Sequence, residues 1–110
     1  MKQYIIDELR PQDYQKIKEY FDKNLGMPKI NSIYWVELSD YLLNDIQISH
    51  PECKPFYFAI ELGQKQISCE LLIRSQNKIR CNCINYADER QRNWVINFID
   101  TIFNDLNIII

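Results

Sequence analysis

At 110 residues, 46% of them hydrophobic and 25% charged, the chain is long enough for one globular domain over residues 1–110 and too rich in apolar side chains to be disordered. A net charge of −2 and a pI near 5.3 argue against a nucleic-acid binder held by phosphate contacts. No stretch approaches the ~20 apolar residues of a membrane span, and "MKQYIIDELR" lacks the apolar run of a signal peptide. A cytoplasmic protein with no membrane and no nucleic-acid partner is therefore expected, its four cysteines kept reduced.

In chain order, "QYIIDEL" (3–9) reads as a short strand. "RPQDYQKIKEYFDKNLG" reads as a helix, with Pro11 in the first turn, Asp13 at the positive end and Gly26 as a left-handed stop. "SIYWVEL" (32–38) is β-branched and aromatic and predicts a strand, and Ser39 can cap a short helix through about Gln47. "HPECKP" is a proline-punctuated connection.

The pattern is clearest from Phe56 onward. "FYFAIEL" alternates, and Gly63-Gln64 can form a two-residue turn, which sets Ile60 opposite Ile67 and Phe58 opposite Cys69. A second turn at "SQN" then sets Ile73 opposite Ile79, Leu71 opposite Cys81 and Cys69 opposite Cys83. Asp88 and Gln91 form a capping pair for a last helix to about Leu106, whose apolar arc covers half the wheel or more. The expected fold is α+β, an antiparallel meander of three to five strands with helices mainly on one face, in the order β-α-β-α-β-β-β-α. The order helix, three-strand meander, helix is similar in architecture to small acidic secretion chaperones, with no motif behind the likeness.

His50, Cys53, Cys81 and Cys83 are the residues that could make a metal or thiol-redox site. Cys81-x-Cys83 on a regular strand is a poor half-site. Residues i and i+2 lie roughly 6.5–7 Å apart at ~3.3 Å per residue, whereas two sulfurs on one zinc approach to about 4 Å. The derived register also places Cys69, Cys81 and Cys83 among apolar residues, where cysteine serves as a small hydrophobe. Packing cysteines, a solvent-facing His50, and no metal or other cofactor are expected.

Two glycines, one ending a helix and one turning a hairpin, leave none for a phosphate-binding loop. With one histidine and no catalytic motif, the chain is expected not to be an enzyme. The expected role is a non-catalytic protein-interaction module, an adaptor or chaperone-like subunit; the alternative is a small metal-binding or thiol-redox protein using His50, Cys53, Cys81 and Cys83. Two surfaces suit a partner. One is the outer sheet face and its end, with Tyr57, Glu70, Leu72, Arg80, Ile84 and Tyr86, where Glu70 is expected to pair with Arg80. The other is a second apolar stripe on the last helix, Ile96, Ile99 and Phe103, which with the terminal "LNIII" suggests a homodimer.

Overall fold

The computed structural model describes residues 2–28 and 32–109. The elements are β1 (Gln3–Ile6), α1 (Pro11–Asn24), β2 (Ile33–Glu37), α2 (Asp45–Ile48), β3 (Phe56–Leu62), β4 (Ile67–Glu70), β5 (Leu72–Ser75), β6 (Asn85–Tyr86) and α3 (Glu89–Asp105). Short 3₁₀ turns at Asp40–Leu42 and Pro51–Cys53 lie between β2 and β3. This is the expected α+β fold, with an antiparallel sheet.

Each helix begins and ends for identifiable reasons. Pro11 occupies the first turn of α1, and the Asp13 carboxylate accepts from the backbone and guanidinium of Arg10, satisfying donors at the helix start. Gly26, at φ +84°, takes the chain away in the left-handed conformation predicted for it. The Asp88–Gln91 capping box opens α3 as expected. At the other end Asn107 adopts φ 58°, with the Asn107 N–H bonded to Asn104 and the Ile108 N–H to Phe103. These two bonds make a Schellman closure that folds Ile108 into the core. Ile109 points to solvent, and Ile110 of the terminal run lies outside the described residues. Ser39 contributes no side-chain cap; α2 is capped by Asn44 instead, in a box with Gln47.

The sheet is organised around β3. On one side it pairs with β2, and on the other with β4 and then β5, which follow each other across a bulge at Leu71. β1 runs beside β4, and β6 beside β5. The first hairpin departs from expectation by two residues: Ile60 faces Cys69 and Leu62 faces Ile67. The loop is Gly63–Gln66, closed by the Gly63 N–H to the Gln66 carbonyl at 2.8 Å. A shift of two keeps every side chain on its predicted face, so the core is unaffected.

The second hairpin is a larger correction. Residues 79–84 form no strand; β1 takes the position beside β4, with Tyr4 opposite Cys69. "QYII" offers aromatic and β-branched residues to that ladder, whereas "RCNC" offers none.

α1 and α3 both pack on one face. Phe21 of α1 meets Tyr34 of β2 with ring centroids 5.0 Å apart, and Phe58 of β3 stacks on Trp94 of α3, which stacks on Phe98. The opposite face carries Trp35, 44% exposed, beside Tyr57 and over the small Ala59. The wide apolar arc of α3 is absorbed within the chain. Ile99 and Phe103 are each 1% exposed, so they are core residues and not a free stripe, while Ile96 is half-buried. α1 and the returning Ile108 join them in one core, the cover that the sequence alone left to a second helix or another chain. Among the described residues no helix is long and apolar enough to cross a membrane.

Phe103→Ala should therefore cost about 3–5 kcal/mol in urea denaturation. A loss below about 1 kcal/mol would place Phe103 outside the core.

Candidate metal centre

Freed from the sheet, residues 76–84 fold back toward the turn before β3. Ser75 and Asn77 anchor this return. The Ser75 hydroxyl donates to the Cys53 carbonyl, and the Asn77 amide donates to the Lys54 carbonyl at 2.6 Å and the Glu52 carbonyl at 3.4 Å. The opposing turn is tight: Pro51 starts it, and the Cys53 N–H bonds to the His50 carbonyl at 3.0 Å. In the loop, the Ile84 N–H bonds to the Cys81 carbonyl at 3.0 Å, so Cys81 and Cys83 sit on a turn whose side chains can converge.

They do converge. The ligand atoms of His50, Cys53, Cys81 and Cys83 all lie within 4.8 Å of one another. Cys81 Sγ is 3.2 Å from His50 Nδ1 and 4.0 Å from Cys53 Sγ. A tetrahedral zinc with Zn–S near 2.3 Å and Zn–N near 2.05 Å has edges of about 3.8 Å between sulfurs and about 3.6 Å between sulfur and nitrogen. The Cys53–Cys81 edge is about 0.2 Å longer than that tetrahedral value and the Cys81–His50 edge about 0.4 Å shorter, so small side-chain shifts would close the set on an ion. The geometric objection raised by Cys-x-Cys holds for a strand, and these residues are not in one. Cys53 and Cys83 are buried, Cys81 is partly exposed, and His50 is only half-exposed and turned inward, contrary to the solvent-facing position expected for it.

The thiols are electrostatically unequal. Burial pushes Cys83 up to about 12 and raises Cys53 as well. Cys81 is lowered to about 7, first by the backbone N–H of Cys83 and then by its thiol, with contributions from Cys53 and the nearby His50 ring. A divalent cation would resolve this inequality by stabilising all three as thiolates. Cys69 is different: it faces the core, far from any ligand set, and burial holds it neutral with a pKa of about 12. For Cys69 the packing role expected from the sequence is the observed one.

Two buried glutamines support the centre from behind: Gln91, expected only as a helix cap, and Gln47, whose capping role the sequence reading missed. The Gln47 side chain donates to the Cys83 carbonyl at 3.4 Å, and its oxygen accepts from the Asn44 N–H and from Gln91 Nε2, at 3.0 and 2.9 Å. Gln91 also donates to the Leu42 carbonyl, and its oxygen accepts from the Asp88 N–H. The capping boxes of α2 and α3 are thus joined to the cysteine loop by one satisfied buried network. Arg90 adds bonds to the carbonyls of Tyr41, Leu42 and Leu43.

The predicted partner residues scatter. Tyr57, Glu70, Leu72 and Tyr86 share the outer sheet face, where Glu70 pairs with Arg74 at 3.0 and 3.1 Å and not with Arg80. Arg74 is four residues along the same bulged strand path, on the same face, whereas Arg80 stands exposed in the loop. Ile84 is half-buried against the core, and the Lys2 ammonium lies 5.3 Å from the Tyr86 ring centroid. A shallow groove of about 380 Å³ on this face is lined by Ile33, Trp35, Ala59, Glu70 and Arg74 among others, away from the cysteines. Comparisons with protein-family models, curated proteins and solved structures find no match to this chain.

Gln47→Leu should destabilise the protein by about 1–3 kcal/mol, because it leaves buried donors and the Cys83 carbonyl unpaired. Gln64→Leu, in an exposed turn, should stay within about 0.5 kcal/mol. Equal denaturant midpoints for the two variants would contradict the network.

Proposed function

We propose that the chain is a small non-catalytic domain closed by one structural zinc ion on His50, Cys53, Cys81 and Cys83. The observation that carries this reading is the convergence of four ligand atoms within 4.8 Å, from two connections 28 residues or more apart. Three thiolates and an imidazole are a zinc donor set, and four protein ligands leave no open position for water or substrate. That argues for a staple and against hydrolysis. The ion would join the turn before β3 to the loop before β6, two segments that share few backbone bonds. It would also neutralise charge that burial otherwise forbids.

The interaction-module reading stands beside it, favoured by the uncovered outer sheet face. Trp35 and Tyr57 pack edge to face there, 6.0 Å apart, with Ile5 and Ile33 nearby in the sheet. β2 pairs only with β3 among the described residues, and its register turns the N–H and C=O groups of Ile33, Trp35 and Glu37 outward. We take the partner to be a second copy of the chain, joined through this face and edge in place of the last-helix stripe. In this reading the protein works in the cytoplasm, where thiolates stay available for metal.

Native mass spectrometry of protein purified without chelator tests both readings in one spectrum. The expected species is twice the 13.3 kDa chain with one zinc per chain, and Cys83→Ser should lose the metal. A chain free of zinc even after incubation with it ends the first reading; a monomer at micromolar concentration ends the second.

A further inference from the structure

We propose that Cys53 and Cys81 are a redox pair: a peroxide oxidises them to a disulfide, and the metal leaves. The release of zinc rests on the reading given above; the pairing of the two sulfurs does not.

Three cysteines share the centre, so the choice of pair has to be argued. Attack on a peroxide needs a sulfur that solvent can reach. Cys81 is the one with exposure; Cys53 and Cys83 are both buried. The second sulfur must then reach Cys81. Cys53 Sγ already lies 4.0 Å from Cys81 Sγ, so closing to the ~2.05 Å of a disulfide takes side-chain rotation and a small shift of an exposed loop. Cys83 is a poorer partner despite its proximity. A bond across the single residue Asn82 would have to form inside the turn closed by the Ile84 N–H and the Cys81 carbonyl, while the Cys83 carbonyl is held by Gln47. Cys69 lies on β4, buried in the core and paired with Tyr4 of β1, and takes no part.

The chemistry balances with hydrogen peroxide as the oxidant. Cys81 thiolate attacks one peroxide oxygen; an S–O bond forms, the O–O bond breaks and hydroxide departs. Cys53 thiolate then attacks the Cys81 sulfur; the S–S bond forms, the S–O bond breaks and a second hydroxide departs. Two thiolates have lost two electrons, and peroxide has become two hydroxides. A zinc ion stripped of two of its four ligands retains only His50 and Cys83, too few to hold it. The cross-link joins the same two segments that the metal joined. The domain therefore stays closed at this end while His50 and Cys83 become free, which distinguishes a switch from simple damage.

The test treats the full chain, zinc-loaded and metal-free, with hydrogen peroxide. It follows zinc with a chromogenic chelator and maps thiols by alkylation and peptide mass spectrometry. One zinc released per Cys53–Cys81 cross-link, reversed by dithiothreitol plus zinc, is expected; Cys83→Ser should still form the link in the metal-free state, and Cys81→Ser should not. Linkage through Cys83, or conversion of Cys81 to sulfinic acid with no link, overturns the pairing. Should the link form in a chain that never takes zinc, the pairing stands and the zinc reading falls. Zinc bound tightly with no link formed gives the reverse.

Discussion

The end of the molecule that carries the cysteines depends on how the segment 76–84 is held, because no strand ladder holds it. The sheet supplies regular bonds up to Ser75 and resumes for two residues at β6. Between them one backbone bond, from the Gln76 N–H to the Pro55 carbonyl, reaches the turn before β3, and side chains do the rest: Asn77 and Ser75 reaching residues 52–54, and Gln47 reaching Cys83. A connection that a sheet does not hold gains from any added link between its ends, which a metal or a cross-link can supply. A zinc ion at the meeting point of four ligand atoms would be that element. It would act on both connections at once, and through Gln47 and Gln91 on the start of α3.

The buried glutamine pair explains how a loop can be placed accurately enough to present a sulfur set. Both glutamines occupy the third helical position of a capping box, where one face of the side chain is already committed to the backbone. The remaining amide groups are aimed by that commitment. They meet each other, Leu42 and the Cys83 carbonyl with no buried polar side-chain atom left unpaired among the described residues. A fully satisfied network of this kind specifies one arrangement, since any shift strands a donor in the core.

Much of the fold was legible in the chain because local signals agreed with tertiary demands. Asp88 and Gln91 marked the start of α3, Gly26 marked the exit from α1, and alternation in "FYFAIEL" fixed the inward face of β3. What local pattern could not supply was competition between distant segments. The ladder beside β4 went to β1, more than 60 residues away, and not to the adjacent "RCNC". That single exchange carried Cys81 and Cys83 off the sheet and beside His50 and Cys53, so the four residues that converge had been named together and then set apart on a geometry they do not adopt. Gln47 had a readable signal in Asn44-x-x-Gln47, the same capping spacing as Asp88-x-x-Gln91. The burial of Ile99 and Phe103 by Ile108 depends on the closure at Asn107, and one polar residue before an isoleucine run does not announce it. The openness of the outer face follows from α1 and α3 choosing the same side, which helical stripes alone do not decide.

Zinc K-edge X-ray absorption on the zinc-loaded protein tests the central claim most directly, because it counts the donor atoms around the metal. The account predicts a first shell of three sulfurs at about 2.3 Å and one nitrogen at about 2.0–2.1 Å, with the outer-shell scattering of a single imidazole. A shell dominated by nitrogen and oxygen, or one with two sulfurs or fewer, would contradict it.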